Sequence, residues 1–205
     1  METGDAAHWD DVYRRKGNAA VSWFRPHLDV SLALLTAVGF GPGSRVIDVG
    51  GGASTLVDDL LAAGAAHVTV VDLAAEGLAI SRQRLGDDTR VSWQVGDIGS
   101  IALDAAAYDL WHDRAVLHFL HVPEALERYA TQAARVVRPG GAAVIGGFAP
   151  DGPERCSGLP VARRDAASIA KVLGPGFELV GSRAEVHTTP GGAPQSFAWA
   201  LLRRV

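Results

Sequence analysis

The stretch that decides the fold is Val46–Ser54, VIDVGGGAS, where a short apolar run breaks into three consecutive glycines. The β-branched residues before the glycines are typical of a buried parallel strand, and the apolar spacing of Ser54–Ala63 predicts a helix after them. Glycines in such a turn adopt positive φ and let a ligand approach the backbone, and the first helix amides can bind an anionic group. A tight strand-to-helix turn without a ligand would have the same pattern.

Two acids further along the chain favour a ligand at this turn. Asp72 ends the next predicted strand, about 20 residues beyond the glycines, where a carboxylate can accept from both hydroxyls of a ribose. Asp97 ends the third strand and can accept from an exocyclic amine. Because the carboxyl ends of parallel strands meet at one edge of a sheet, we expect a shared crevice that binds a nucleoside-containing cofactor.

Strand-length apolar runs alternate with longer helical runs through the middle of the chain. Strands are predicted at Arg45–Val49, His67–Asp72, Arg90–Val95, Tyr108–His112 and Ala142–Gly147, and further helices at Ala75–Leu85 and Pro123–Val137. This alternation predicts βαβ units and a doubly wound α/β domain with helices on both faces of the sheet.

Both ends of the chain depart from that alternation. The first 40 residues have helical patterns, with Pro26 placed to open a helix that ends at Gly39. Near the other end, Phe177–Val186 and Gln195–Arg203 are β-rich runs joined by a Thr-Pro-Gly-Gly turn, which predicts an antiparallel hairpin. We therefore expect seven strands, of which five are parallel and the last two form an antiparallel pair.

The composition excludes several classes of protein. The chain has 205 residues, 48% hydrophobic and 20% charged, which suits one domain with its own core. A single cysteine excludes an internal disulfide, and no apolar run approaches the roughly 20 residues of a membrane span or the core of a signal peptide. The net charge of −4 gives no electrostatic reason to bind nucleic acid. We expect a cytoplasmic monomer or homodimer with no nucleic-acid or membrane partner.

The spacing of residues in the glycine turn distinguishes between two kinds of nucleotide-binding motif. A dinucleotide fingerprint needs a third glycine where Thr55 stands, whereas the spacing is Asp48-x-Gly50-x-Gly52-x-Ser54. This resembles motif I of the class I S-adenosylmethionine-dependent methyltransferases. Segments similar to the later motifs of that family follow in order, namely VVDLA (Val70–Ala74), GDI (Gly96–Ile98), YDLWHDRAVLHF (Tyr108–Phe119), VVRPGG (Val136–Gly141) and the terminal hairpin.

The resemblance implies a cofactor role for the residues of the first motif. Gly50, Gly51 and Gly52 would lie against the methionine and ribose parts of S-adenosylmethionine, and Ser54 would complete the motif at the helix start. Asp48 would organise the loop or contact the amino group of the cofactor through water.

The later motifs imply the rest of the cofactor site. Asp72 would bind the ribose hydroxyls, and Asp97 would accept from the adenine amine. Leu73 and Ile98 would pack on the adenine, although ordinary core packing explains these two residues about equally well. Residues 41–205 would form the cofactor domain.

Residues 1–40 would form a helical lid over the cofactor. This segment is rich in aromatic residues, of which Tyr13 and Trp23 are predicted to lie near the cofactor. For Trp9 we expect packing on the sheet instead.

The chemistry is predicted at the end of the fourth strand, which faces the methyl group in this family. His112 or Asp113 would accept a proton from the acceptor or orient it, and Trp111 would contact the cofactor. The alternatives are that His112 caps the strand and that Asp113 pairs with Arg114. The segment lacks the Asn/Asp-Pro-Pro-aromatic sequence of amide and nucleobase N-methyltransferases, which disfavours those acceptors.

Other reactive side chains are expected to be structural. His118 and His121 lie one helical turn apart, but no other Cys or His cluster accompanies them, so we expect surface or lid histidines and no metal. Cys156 stands in a loop expected to roof the acceptor pocket and is interpreted as a small buried residue. Arg163 and Arg164 can each bind a carboxylate of the acceptor through two hydrogen bonds. We favour the alternative that both side chains are solvated at the start of a helix.

The predicted function is methyl transfer to a small-molecule acceptor, with S-adenosylhomocysteine as the other product. A small thiol is one version of this acceptor. One alternative is a protein lysine methyltransferase, because WDDVY at 9–13 is similar to openings of some lysine methyltransferases. Another is a non-catalytic cofactor-binding subunit whose partner supplies the activity.

Overall fold

The computed structural model describes residues 4–17 and 20–205. The strands are β1 (Arg45–Val49), β2 (His67–Asp72), β3 (Val91–Val95), β4 (Tyr108–Arg114), β5 (Val137–Phe148), β6 (Arg155–Cys156), β7 (Leu159–Pro160), β8 (Phe177–Thr188) and β9 (Pro194–Arg204). The α-helices are α1 (Ala6–Lys16), α2 (Asp29–Ala37), α3 (Leu56–Ala62), α4 (Ala75–Leu85), α5 (Pro123–Val136) and α6 (Ala166–Leu173). Leu117–Phe119 and Gly174–Gly176 form short 3₁₀ turns.

Seven strands form one sheet in the order β3-β2-β1-β4-β5-β9-β8. The strands β1 to β5 pair in parallel, and β9 runs antiparallel to both β5 and β8. The predicted doubly wound sheet with an antiparallel C-terminal pair is therefore confirmed. The strand order reverses between β1 and β4, and ligands of open α/β sheets bind beside the carboxyl ends of the strands at such a reversal.

The core fills both faces of this sheet. On one face, side chains of α2 and α3, such as Leu35 and Leu60, pack against the strands. On the other face, Tyr129 of α5 and Ile169 of α6 pack against strand residues such as Trp111. Burying each large apolar side chain stabilises the fold by about 1.5–3 kcal/mol, so the two layers hold the strand ends in fixed positions.

The second helix begins later than its sequence predicts. The helix expected to open at Pro26 starts at Asp29, because Asp59 of α3 accepts from the Leu28 amide at 2.8 Å and contacts His27 Nδ1 at 2.8 Å. This carboxylate holds the preceding residues outside the helix. The strand β4 also continues to Arg114, two residues beyond the predicted end.

The first helix lies against α4. Asp5 caps α1 by accepting from the His8 amide at 2.9 Å, and Asp10 accepts from the Glu76 amide at 3.0 Å. The division into a lid at 1–40 and a cofactor domain at 41–205 stays a prediction, and residues 1–3, 18 and 19 lie outside the described residues. None of the helices in the described ranges is long and apolar enough to cross a membrane.

Candidate functional site

A cavity of about 470 Å³ opens at the carboxyl ends of β1 to β4. Among the predicted cofactor residues, those that line it are Tyr13, Trp23, Gly50, Asp72, Leu73, Asp97 and Ile98. A narrow crevice of about 30 Å³ is lined by Asp48, Gly51, Ser54 and His112 together with Gly50 and Trp23. Gly52, Trp111 and Asp113 line neither space.

The glycine turn has no room for side chains. Gly50 has φ +70°, and a Cβ there would lie 2.1 Å from Cγ2 of Val116. Gly52 has φ +40°, and its Cβ would lie 2.3 Å from the hydroxyl of Tyr13. Val116 and Tyr13 therefore pack directly on the backbone of the turn, and only glycine fits at these two positions.

Two carboxylates reach the cavity from the ends of β2 and β3. Oδ1 of Asp72 accepts from the Ala74 amide at 2.7 Å, and burial raises the pKa of Asp72 to about 7. Asp97 is exposed, and its Oδ1 accepts from the Gly99 amide at 2.8 Å. Each carboxylate is held in place by a local backbone amide while it faces the cavity.

Asp48 belongs to a buried chain of polar side chains. Nδ1 of His112 lies 2.8 Å from Oδ1 of Asp48, and Nε2 of His112 lies 3.0 Å from Oγ of Ser31. The other oxygen of Asp48 is buried and has no hydrogen-bond partner among the described residues. A Cβ on Gly51 would lie 2.5 Å from this oxygen, so the free acceptor faces the glycine turn.

The structure does not bring Asp113 to the acceptor. Its Oδ1 accepts from the Val116 amide at 2.7 Å, and its Oδ2 accepts from the Leu117 amide at 3.0 Å and from the Tyr129 hydroxyl at 2.6 Å. Burial raises its pKa to about 6. The side chain is fully buried under α5, so this geometry favours a structural role, and the handling of a proton of the acceptor stays a prediction.

Trp111 lies away from the cavity. Its Nε1 donates to the Tyr129 hydroxyl at 3.0 Å, and its ring packs edge-on against the ring of Tyr129 on the face of the sheet that α5 covers. Because side chains alternate along a strand, Trp111 and Asp113 share that face while His112 lies on the other. Trp111 therefore cannot contact a molecule in the cavity.

Four aromatic side chains beyond the predicted cofactor residues also line the cavity. Trp9 and Phe119 pack with ring centroids 5.0 Å apart, and Phe148 and Phe197 pack at 5.1 Å. Trp9 thus lines the cavity in addition to packing on the core. The sequence interpretation missed Phe148 and Phe197, although an antiparallel last strand brings its start to the carboxyl end of β5. This part of the cavity, lined by Trp9, Phe119, Phe148 and Phe197, is called the aromatic half below.

The other reactive side chains have structural surroundings. His118 is buried, which lowers its pKa to about 3, so the expectation of a surface histidine is wrong for this residue. Nε2 of His121 lies 3.0 Å from the carbonyl of Pro160. Cys156 is buried as expected and lines the cavity. Arg164 donates to the carbonyls of Leu117 and Leu120 and is therefore not simply solvated.

Arg163 has partners in the loop that precedes it. It donates to the Gly152 carbonyl at 3.2 Å and to the Glu154 carboxylate at 3.2 Å. Within residues 4–17 and 20–205, no group of three or more His, Cys, Asp or Glu side chains is arranged to hold a metal ion.

Comparison with known proteins agrees with this geometry. Residues 46–141 match the family model described as a methyltransferase domain. The ribosomal RNA small subunit methyltransferase A of Prochlorococcus marinus (strain MIT 9303) is 35% identical over 94 residues, which cover 44% of this chain and 34% of that protein. The matched segment therefore spans about a third of the length of this curated relative.

Solved structures share the fold over nearly the whole chain. The N-methyltransferase NodS from Bradyrhizobium japonicum WM9, in complex with S-adenosyl-l-homocysteine, has a TM-score of 0.72 at 17% identity and covers 95% of this chain and 97% of its own. A structure described under the conversion of a disulfide bond into a thioacetal group during echinomycin biosynthesis has a TM-score of 0.76 at 19% identity, with 97% and 91% covered.

The sheet order and the solved structures show the fold of the class I S-adenosylmethionine-dependent methyltransferases, and residues 46–141 match a methyltransferase domain. The residues at the cavity fit this cofactor. The cavity borders the backbone of Gly50, Asp72 and Asp97 offer carboxylate oxygens at two strand ends, and in the adjoining crevice Asp48 has a buried oxygen without a partner among the described residues. These are the groups that a ribose, an adenine amine and an amino group need.

Proposed function

We propose that the protein transfers the methyl group of S-adenosylmethionine to a small molecule held in the aromatic half of the cavity. The observation that carries this proposal is that the strand-end acids and four aromatic rings line one continuous cavity. S-adenosylmethionine supplies a methyl group already activated for displacement by its sulfonium. What the chain must add is alignment and the exclusion of water.

The side chains suit an acceptor that needs little help from a base. Among the described residues, no histidine lines the cavity, and both oxygens of Asp113 are occupied by the protein. A carboxylate, a thiolate or a free amine arrives with a lone pair ready to attack, so positioning alone can support its methylation. The rings of Trp9 and Phe119 would hold such an acceptor by its apolar part and keep water out.

An acceptor screen tests this proposal. The purified protein is incubated with S-adenosylmethionine and panels of aromatic acids, thiols and amines, and S-adenosylhomocysteine is quantified by chromatography. We expect turnover with at least one small-molecule class and loss of turnover in Asp72→Asn. Trp9→Ala is expected to raise the KM for the acceptor while changing the affinity for S-adenosylhomocysteine less than about two-fold, because Trp9 lines the aromatic half.

The same screen includes the competing acceptors. The relative named for ribosomal RNA gives no support to the expectation that nucleic acid is excluded, so a ribosomal RNA transcript belongs in the panel. A lysine-rich protein tests the lysine methyltransferase alternative. Turnover confined to RNA or protein would contradict a small-molecule acceptor, and cofactor binding without any turnover would favour the non-catalytic subunit.

A further inference from the structure

We propose that the guanidinium of Arg114 recognises an anionic group, a carboxylate or a similar oxyanion, on the acceptor. The inference rests on the proposed function, since it names a feature of the small molecule that the aromatic half would bind.

Arg114 has an unusual set of contacts for a buried cation. Its Nη1 donates to the carbonyl of Trp23 at 3.0 Å, and its guanidinium carbon lies 5.1 Å from the ring centroid of Phe197. Its Nη2 is buried and has no hydrogen-bond partner in the part of the chain that the structure describes. The residue that carries this unpartnered donor lines the cavity.

Arg114 also forms no direct ion pair within the described ranges. None of the ion pairs between described residues includes it. Burial lowers its pKa, and the carboxylate of Glu185, which acts against that shift, already accepts from Nε1 of Trp199 at 2.7 Å. A buried charge without a partner is costly, so an anion that enters the cavity would find a strong and preformed binding group.

The direction of the side chain assigns this group to the aromatic half. Phe197 lies on β9, which is two strands from β4 on the side opposite to β1. Adjacent strands are about 4.8 Å apart, so a guanidinium over Phe197 leans away from the glycine turn of β1. Gln195 and Cys156 also line the cavity. Arg114 also borders the narrow crevice beside Asp48, so the methionine carboxylate of the cofactor is the other source of the same chemistry.

Binding of simple acids tests the inference directly. Protein saturated with S-adenosylhomocysteine is titrated in a calorimeter with benzoate, phenylacetate and hexanoate, each compared with its neutral amide. We expect at least one acid to bind about ten-fold or more tightly than its amide. Arg114→Gln keeps a donor for the Trp23 carbonyl and is expected to remove this preference, with amide binding changed less than about two-fold.

The matched control is Arg128→Gln, which removes the same charge from the other end of the cavity. We expect this variant to retain the preference for the acid. An equal loss in both variants would mean that only the net charge of the cavity matters, which would overturn the inference. If Arg114→Gln does not fold, the comparison of acids with amides in the wild-type protein still decides, because the absence of any preference overturns the inference.

Two further measurements complete the test. One shows whether the anion belongs to the acceptor or to the cofactor, and the other shows whether the inference or the proposed function fails. If Arg114→Gln weakens binding of S-adenosylhomocysteine ten-fold or more but leaves 5′-methylthioadenosine, which lacks the carboxylate, unchanged, then Arg114 serves the cofactor and the inference is overturned. If the wild-type protein binds no S-adenosylhomocysteine, the proposed function itself fails. Normal cofactor binding without acid preference overturns only the inference.

Discussion

Nδ1 of His112 lies 2.8 Å from Oδ1 of Asp48 and joins the end of β4 to the acid that precedes the glycine turn. The third member of the chain is Ser31 of α2, and all three side chains are buried. The remaining oxygen of Asp48 faces the turn, so we infer that His112 is a positioning residue for the cofactor site.

The first prediction concerns this chain. His112→Ala leaves Asp48 without its partner, and we expect the free energy of unfolding to fall by about 1–3 kcal/mol and the affinity for S-adenosylhomocysteine to drop. Ser31→Ala removes only the outer hydrogen bond and should cost about 1 kcal/mol. Urea unfolding and calorimetry measure both. A hundred-fold fall in turnover with unchanged stability and cofactor affinity would instead make His112 a base.

The second prediction concerns Asp113. Asp113→Ala leaves the amides of Val116 and Leu117 and the hydroxyl of Tyr129 without their acceptor, and each unpaired buried group costs about 1–3 kcal/mol. We expect a large loss of stability in urea unfolding. Tyr129→Phe is the milder control, because it removes a single donor. Native stability of Asp113→Ala would contradict the structural role.

The third prediction compares two glycine-to-alanine variants. One would suffer only backbone strain, and the other would also bring its Cβ into collision with a neighbouring side chain. Gly50 and Gly86 have similar φ values of +70° and +66°, but a Cβ on Gly86 meets nothing within 4 Å, whereas one on Gly50 would collide with Val116. Gly86→Ala should therefore cost only the backbone strain of about 1–3 kcal/mol, because its ψ of −151° lies in a region that suits glycine alone. Gly50→Ala should destabilise more and also abolish cofactor binding. Equal unfolding energies for the two variants would refute the close approach.

The fourth prediction is a pH dependence of cofactor affinity. Burial raises the pKa of Asp72 from 3.8 to about 7, and ribose hydroxyls donate best to the ionised carboxylate. The affinity for S-adenosylhomocysteine should therefore rise with pH, by up to about ten-fold per unit below pH 7, and become constant above it. Calorimetry between pH 5.5 and 8.5, approximately the span of this titration, measures the effect. A flat profile in the wild-type protein would contradict it.

The stability of the free protein should show the opposite trend from the same group. Since the folded pKa of Asp72 is raised, the folded state binds the proton more tightly than the unfolded state between about pH 4 and pH 7. Its contribution is complete below pH 4 and is lost as the pH rises through about 7. The wild-type protein should therefore lose stability relative to Asp72→Asn over this range, as followed by urea unfolding.

Much of the fold follows from local patterns in the sequence. The buried strands are short β-branched runs bounded by glycine or polar residues, and the Thr-Pro-Gly-Gly turn fixes the terminal hairpin. The start of α2 could not be predicted in this way, because it depends on Asp59, which lies 31 residues from the Leu28 amide that it binds. A hydrogen bond between residues so far apart in the chain cannot be predicted from the local sequence pattern.

The cofactor side of the site was the more predictable part. Gly50, Asp72 and Asp97 reach the cavity because each lies at or just after the end of a parallel strand. The roles of His112 and Asp113 depend on the face of β4 that each occupies and on partners that are distant in sequence. Ser31 is 81 residues from His112, and Tyr129 lies 16 residues from Asp113 on another element.

The central claim is that Asp72 holds S-adenosylmethionine at the end of β2, and calorimetry with S-adenosylhomocysteine at a pH above 7 tests it most directly. We predict one binding site in the wild-type protein, affinity about ten-fold or more weaker in Asp72→Asn, and unchanged affinity in Asp104→Asn, an exposed control. The absence of binding by the wild-type protein, or equal affinity in Asp72→Asn, would contradict the claim.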